Sequence, residues 1–376
     1  LPFYKLRLIK KLYSALKGSR RMNVLYGING TGDGHISRAR SLAPQLMAQD
    51  DLSLSFLFSG RAAHQYKDMA VFSGYTQRNG LVFEQKNGGI DLLSTAKTAL
   101  WGKNSICRAF NDAAQLDLRN VDLILTDFEP ITSLTARLKK MPHIGIAHQY
   151  SFHGPLPAGL NPLSLNAMTR AYSPVKNTLG LHWDMFGQDI LPPIFAAPKE
   201  EPVEKGMILV YLGHEDLRDI KAFLAPFAHR YEFHIYHNDI QFYHEDPNVS
   251  LIYKPKSPIG FKDDMARCEG LIANAGFVSA SEMLHMGRKF LVKPIKGQTE
   301  QHSNARALEY LGYGRTMDRL DGGRLAQWLG EGRAAHLRFP NVAQAVASWI
   351  AKGDIEDKAQ LKRQLWAQTE IHRTLK

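Results

Sequence analysis

The chain has 376 residues, more than one ordinary hydrophobic core organises, so two domains are expected. Its apolar share of 44% contains no run long enough to span a bilayer, and two distant cysteines, Cys107 and Cys268, in no metal-ligand spacing exclude a disulfide framework and fit a cytoplasmic setting. Of the net charge of +11, seven positive charges fall in residues 1–21 with no acid, and the nearly balanced remainder, lacking an aromatic-basic motif, excludes a nucleic-acid binder.

In chain order, the leader comes first. Leu8, Ile9, Leu12, Tyr13 and Leu16 recur at helical spacing among Lys5, Arg7, Lys10, Lys11, Lys17, Arg20 and Arg21. Residues 1–21 therefore read as a basic amphipathic helix suited to an anionic membrane surface, or as a passive leader ahead of a natural start at Met22. Charges interrupt the apolar residues, so this is not a secretory signal.

Strands are expected at "NVLYGI" (23–28), "LSLSFLFS" (52–59), "VDLILTD" (121–127) and "HIGIAHQ" (143–149). A second series runs "MILVYLG" (207–213), "EFHIYHN" (232–238), "VSLIYKP" (249–255), "GLIANAG" (270–276) and "KFLVKPI" (289–295). Helical patterns lie between them, such as Ile36, Ala39, Leu42, Ala43, Leu46 and Met47. Apolar strands alternating with helices imply an α/β fold of two Rossmann-like domains, with parallel sheets facing a central cleft. The proline- and charge-rich stretch 191–206 reads as the linker. The expected layout is leader 1–21, first domain 22–190, linker 191–206, second domain 207–350, and a C-terminal helix within 351–376 that packs back on the first domain. The helical pattern there covers 355–374.

Ligands of parallel sheets lie beyond the carboxyl ends of the strands. At the first such end, "GINGTGDGH" places Gly30, Gly32 and Gly34 before His35 and a helix start. The spacing is neither G-x-G-x-x-G nor a Walker loop. It lets a ligand approach the backbone, and His35 can act as a general base on a bound hydroxyl. Asp127 closes "LILTD" at the same edge and can orient His35; alternatively it caps the helix of "PITSLTARL", with Glu129 as the other acid. His148, Gln149 and His153 follow another strand end and either line an acceptor pocket or form a polar loop.

A second constellation lies at 270–314. A strand ends at Asn274, Gly276 turns the chain, and a helix opens near Ser279 with backbone donors suited to a diphosphate. Glu282 offers two acceptor oxygens for the hydroxyls of a ribose. "GQTEQHSN" returns Glu300, Gln301 and Asn304 to the same edge, where they can hold a sugar.

Together these residues resemble the donor-site signature of inverting glycosyltransferases of the GT-B fold. That group includes the UDP-glycosyltransferase superfamily and the bacterial enzyme that adds N-acetylglucosamine to lipid-linked peptidoglycan precursor. "GTGDGH" is similar to its glycine-rich loop and histidine. The likeness spans 22–345 in layout, is specific in the two motif regions, and is strongest to microbial glycosyltransferase-like proteins of undefined substrate. It implies that His35 is the acceptor base with Asp127 as its acidic partner. It further implies that Gly276 and Ser279 meet the diphosphate, that Glu282 binds ribose, and that Glu300, Gln301 and Asn304 contact the donor sugar. Gly213 resembles the glycine of the other phosphate-facing loop, and Phe261 of "YKPKSPIGF" lies where the base is gripped. Asn274 stands where many members carry histidine.

The implied reaction moves a sugar from a nucleotide sugar, a UDP-sugar first, to a lipid-linked or glycan acceptor. A base and a stabilised leaving group suffice for direct displacement with inversion. No Asp-x-Asp pair occurs, so no metal and no further cofactor is expected. A nucleotide-sugar epimerase and a non-catalytic nucleotide-sugar or lipid binder are the alternatives. The loop 88–105, with Leu92, Leu93, Leu100 and Trp101, either meets a lipid-linked acceptor or packs inward. The expected location is cytoplasmic, with residues 1–21 touching the inner face of the membrane.

Overall fold

The long apolar runs become parallel strands covered on both faces, which is why they read as continuous rather than alternating. The computed structural model describes residues 21–80, 85–86, 89–90, 106–246, 248–353, 355, 357–373 and 375. Leader residues 1–20 and the four apolar residues of the 88–105 loop lie outside the described residues. The strands of the first half are β1 (Met22–Asn29), β2 (Leu52–Ser59), β3 (Thr76–Gln77), β4 (Gln85–Lys86), β5 (Gly89–Ile90), β6 (Leu123–Asp127), β7 (His143–Ala147), β8 (Thr178–Leu181) and β9 (Ile190–Leu191). Those of the second are β10 (Glu204–Tyr211), β11 (Glu232–His237), β12 (His244–Glu245), β13 (Leu251–Pro255), β14 (Cys268–Ala273), β15 (Lys289–Val292) and β16 (Arg315–Thr316), with β17 (His336–Arg338) and β18 (Glu370–Arg373) after them.

Two seven-stranded sheets result, in the orders β3-β2-β1-β6-β7-β8-β9 and β12-β13-β11-β10-β14-β15-β16. Every pairing within them is parallel except β12 on β13. Each order reverses beside its first long strand, and such a switch point opens a crevice at the carboxyl edge. In the first sheet the crevice lies between β1 and β6, where Ile28 faces Asp127 in register. In the second it lies between β10 and β14, where Tyr211 faces Ala273. The nine long strands expected from sequence are all present, within a few residues at their ends. The short edge strands β3, β9, β12 and β16, and the short inner strand β8, were not expected, since two to four residues carry too little pattern.

The helices are α1 (Asp33–Met47), α2 (Ile106–Gln115), α3 (Pro130–Leu138), α4 (Leu163–Tyr172), α5 (Leu217–Leu224), α6 (Pro258–Arg267), α7 (Phe277–Met286), α8 (Thr299–Leu311), α9 (Gly322–Gly330), α10 (Val342–Ala351) and α11 (Lys358–Ala367). Among the described residues no helix is long and apolar enough to cross a membrane.

The chain passes between the halves more than once. The expected linker 191–206 is trimmed at both ends by β9 and β10, leaving 192–203 without helix or strand. A second passage at 339–341 leads to α10, whose apolar face packs on α1, so the return begins before residue 351. The two passages meet: Phe195 of the first contacts Phe339 of the second at 6.1 Å, and both rings pack on His285 near the end of α7. Next, α11 ties to the first sheet through Trp366 Nε1 on the Ile190 carbonyl at 2.7 Å and Lys362 on Asp189 at 2.8 Å. The helical reading of 355–374 is corrected at its end. The helix stops at Ala367, and residues 370–373 form β18, antiparallel to β17, which packs on α7.

Asp264 of α6 anchors the second sheet. Its buried carboxylate accepts from His234 Nδ1 at 3.1 Å, Tyr236 OH at 2.9 Å, Lys254 Nζ at 2.6 Å and Arg267 Nη2 at 2.9 Å. Burial pushes this carboxyl up, but the donors outweigh it and hold it well below the usual carboxylate range. Asp264→Asn is expected to cost about 1–3 kcal/mol near neutral pH. A carboxyl lowered in the folded state stabilises fully above its unfolded value near 4 and loses that contribution as pH falls, so the wild-type advantage shrinks in acid. Urea unfolding at pH 7 and at pH 3 measures both; a gap that grows in acid would contradict the assignment.

Candidate active site

The front of the site is built on the β1–β6 crevice. Asp33 to Met47 form α1 directly after the glycine loop, so His35 sits in its first turn. His35 Nδ1 lies 2.7 Å from Asp127 Oδ1, joining the expected pair. The ring of Phe128, at φ +52°, lies parallel to the His35 ring at 6.1 Å. That left-handed residue turns the chain sharply, so that Asp127 and Glu129 serve different structures. Glu129 accepts from Ser59 Oγ at 2.6 Å, from Ile131 N at 2.9 Å, and from both Thr132 N and Thr132 Oγ1 at 2.6 and 2.7 Å. Glu129 is therefore the cap of α3, and Asp127 is free to face His35.

Arg38 was not anticipated. It lies one turn after His35, buried, and clamps Asp127 through Nε on Oδ2 at 2.7 Å and Nη2 on Oδ1 at 2.5 Å. Its Nη2 also lies 2.9 Å from His35 Nδ1. Burial raises the Asp127 carboxyl, but Arg38 first and His35 second more than offset this, and the group stays below its ordinary value. Asp127 remains ionised and fixed, and in the tautomer that donates Nδ1–H to it His35 keeps Nε2 as an acceptor. The sequence signal was an arginine in the apolar stripe of α1, beside Ile36 and Ala39.

The glycines divide by role. A side chain at Gly30 would sit 2.1 Å from the Tyr66 hydroxyl and 2.6 Å from the Ser59 carbonyl, so this glycine serves the packing of β1 against β2. Gly32 and Gly34 have room for a Cβ, with His35 and Val278 as nearest neighbours at 3.7 and 3.8 Å. Gly34 lines the cleft directly against α7 of the other half.

A cavity of about 280 Å³ lies between the halves. Asp33, Gly34 and Ser37 of α1 form one side, and Gly213, Asn274, Gly276 and Ser279 form the other, with Phe261, Glu282 and Gln301 around them. Seven of the nine donor-site residues expected from sequence thus meet in one cavity. No side chain caps the first turn of α7, whose N-cap is Gly276, so backbone N–H groups there are open to an anion. Ser279 turns its hydroxyl back onto the Gly276 carbonyl at 3.3 Å, and Asn274 braces β14 to β15 through the Lys293 carbonyl at 3.0 Å. Gln301 Oε1 accepts from Ala275 N at 3.2 Å and Ile295 N at 2.9 Å, fixing both turns. Phe261 packs between Tyr211 and Tyr236. Asp33 reaches across to Lys256 at 3.5 Å.

The other two, Glu300 and Asn304, face the first half instead. Gln149 Nε2 donates to Glu300 Oε2 at 3.0 Å and lies 3.4 Å from His35 Nε2, so one amide stands between His35 and Glu300. His148 Nε2 lies 2.7 Å from Asn304 Oδ1, its Nδ1 2.8 Å from the Leu181 carbonyl, and its ring stacks on Phe277 at 3.9 Å. Burial holds His148 below its ordinary value. His148 and Gln149 are thus buried in a clasp between the halves rather than opened to an acceptor pocket. A larger hollow, of about 830 Å³, is lined by second-half residues such as Phe223, Lys293 and Arg319, and contains none of the site residues above.

The family described as glycosyl transferase family 1 matches residues 22–154 and 186–331, most of the chain. The chain belongs to glycosyl transferase family 1. Among curated proteins none matches it in sequence. Among solved structures, the glycosyltransferase is similar to a UDP-glucosyltransferase of Polygonum tinctorium that glucosylates indoxyl, at TM-score 0.58 and 12% identity, over 93% of this chain and 95% of that one. MurG of Acinetobacter baumannii aligns at TM-score 0.53 and 16% identity over 88% and 99%. The Streptomyces sp. SF2575 glycosyltransferase SsfS6, complexed with thymidine diphosphate, aligns at TM-score 0.53 and 12% identity over 92% and 100%. Likenesses at these identities establish the fold, which is GT-B: two parallel-sheet halves meeting at a cleft.

Proposed function

We propose that this glycosyltransferase moves a sugar from a nucleoside-diphosphate sugar, a UDP-sugar first, to an acceptor hydroxyl by a single inverting displacement that needs no metal. Two observations support the reading: His35 is hydrogen-bonded to an ionised Asp127 in the first turn of α1, whose Gly34 and Ser37 line the cavity, and the uncapped start of α7 lines the same cavity from the other half. His35 Nε2 takes the proton of the attacking hydroxyl as the anomeric C–O bond to the diphosphate breaks. The charge that develops on the leaving diphosphate meets the N–H groups of α7. Gln149 and Glu300, hydrogen-bonded to each other beside His35, position the sugar. A lipid-linked or cell-envelope acceptor is supported by the basic, amphipathic pattern of residues 1–21, which would hold the enzyme at an anionic membrane face.

The test is thermal unfolding with uridine, thymidine, guanosine and adenosine diphosphates. A ligand bound only by the native state raises the midpoint, by an amount equivalent to about 2.7 kcal/mol at a hundredfold excess over Kd. Uridine diphosphate is expected to give the largest rise. A larger rise with thymidine diphosphate would reassign the base, and no rise with any of them would overturn the reading. With a UDP-α-sugar, a β-linked product by NMR is the expected sign of inversion.

A further inference from the structure

A diphosphate brings several negative charges into the cavity, and a helix start answers with only about half an elementary charge. Asp33 adds a carboxylate to the same lining, and burial holds His214, also in the wall, below its ordinary value. Among the described residues that line the cavity, Lys262 is the single lysine or arginine. It stands in the first half of α6, next to Phe261, and its ammonium is ion-paired with Glu282 Oε1. Glu282 Oε2 accepts no hydrogen bond among the described residues.

The two partners differ in freedom. The Glu282 side chain is 2% exposed and held on α7, whereas the Lys262 side chain is 44% exposed on a flexible stem. The ammonium can swing and the carboxylate cannot. Breaking the pair would strand a buried charge unless other donors reach Glu282, and the two hydroxyls of a ribose are such donors.

We infer that Lys262 recognises the phosphates of the donor nucleotide, leaving Glu282 for the phosphate oxygens as the ribose hydroxyls take over that carboxylate. The inference rests on the nucleotide-donor reading above. It makes the two contacts interdependent: ribose releases the ammonium that the phosphates need. A 2′-deoxyribose, with one hydroxyl fewer, compensates Glu282 less well, so the exchange favours ribonucleotides.

NMR titrations of the wild type, Lys262→Met, Lys262→Arg and Glu282→Gln with uridine diphosphate, its 2′-deoxy analogue and uridine test the exchange, with folding checked by circular dichroism. In Lys262→Met the ratio of diphosphate to uridine affinity is expected to narrow by about tenfold or more, as for loss of a charge-assisted contact, while the ribose-to-deoxyribose ratio holds. Glu282→Gln is expected to do the reverse, and Lys262→Arg to keep both ratios. Equal losses of diphosphate and uridine in Lys262→Met would make the lysine a structural prop and overturn the inference, as would unchanged diphosphate affinity. Failure of the wild type to bind any of the three would instead overturn the donor reading beneath it.

Discussion

Replacing His35 with alanine is expected to lower turnover by about 10²–10⁴, the usual contribution of a positioned base, with little change in nucleotide affinity. The split follows from the architecture. His35 belongs to the crevice of the first sheet, whereas the residues around the α7 start belong to the second. Asp127→Asn is expected to impair turnover as well, because it weakens the hold on Nδ1–H and the stabilisation of the imidazolium. The double variant should fall short of the product of the two losses, since residues that act as one unit are not additive. Release of the nucleoside diphosphate from donor and acceptor, measured beside nucleotide binding on the same preparations, decides the matter. Full activity in His35→Ala would reject the base, and joint loss of binding and folding would make His35 a structural residue.

The largest stability loss expected in the site is at Arg38. Its guanidinium makes two hydrogen bonds to a carboxylate that has no access to solvent. Removing one partner of such a pair typically costs about 3–5 kcal/mol, because the other charge remains buried without compensation. Arg38→Met should therefore unfold at markedly lower urea. Combining it with Asp127→Asn removes both charges, and the double variant should recover part of the loss rather than add to it. Urea midpoints for the three variants and the wild type form the cycle. A loss in Arg38→Met under about 1 kcal/mol, the range of an exposed pair, would show that Asp127 is not held this way.

Much of the fold was legible because buried parallel strands advertise themselves as unbroken apolar runs, as "VLYGI" and "GLIA" do. Residues 370–373 were misread as helix because four residues of "EIHR" fit either period, and pairing with β17 decided between them. The site was legible where glycines and acids cluster at strand ends. The Asp127–Glu129 ambiguity had a sequence cue in the "EP" pair, since a cap followed by proline at the first helical position is a common helix opening. Arg38, despite its place beside Ile36 and Ala39, escaped the reading because a charged residue on a helix is most often solvated. His148 and Gln149 could not be placed by local pattern, because their partners are 156 and 151 residues away on α8.

The meeting of Phe195 and Phe339 on His285 ties the far end of α7 to both passages between the halves. The helix begins at the cavity with Gly276 and reaches this aromatic bearing near its other end, nine residues later, about 13 Å at 1.5 Å per residue. A turn of about 10° at the bearing then displaces the cavity end by about 2 Å for an arm of that length. Side-chain volume at this aromatic contact, one helix length away from the cavity, therefore bears on where the first turn of α7 stands in the cavity wall.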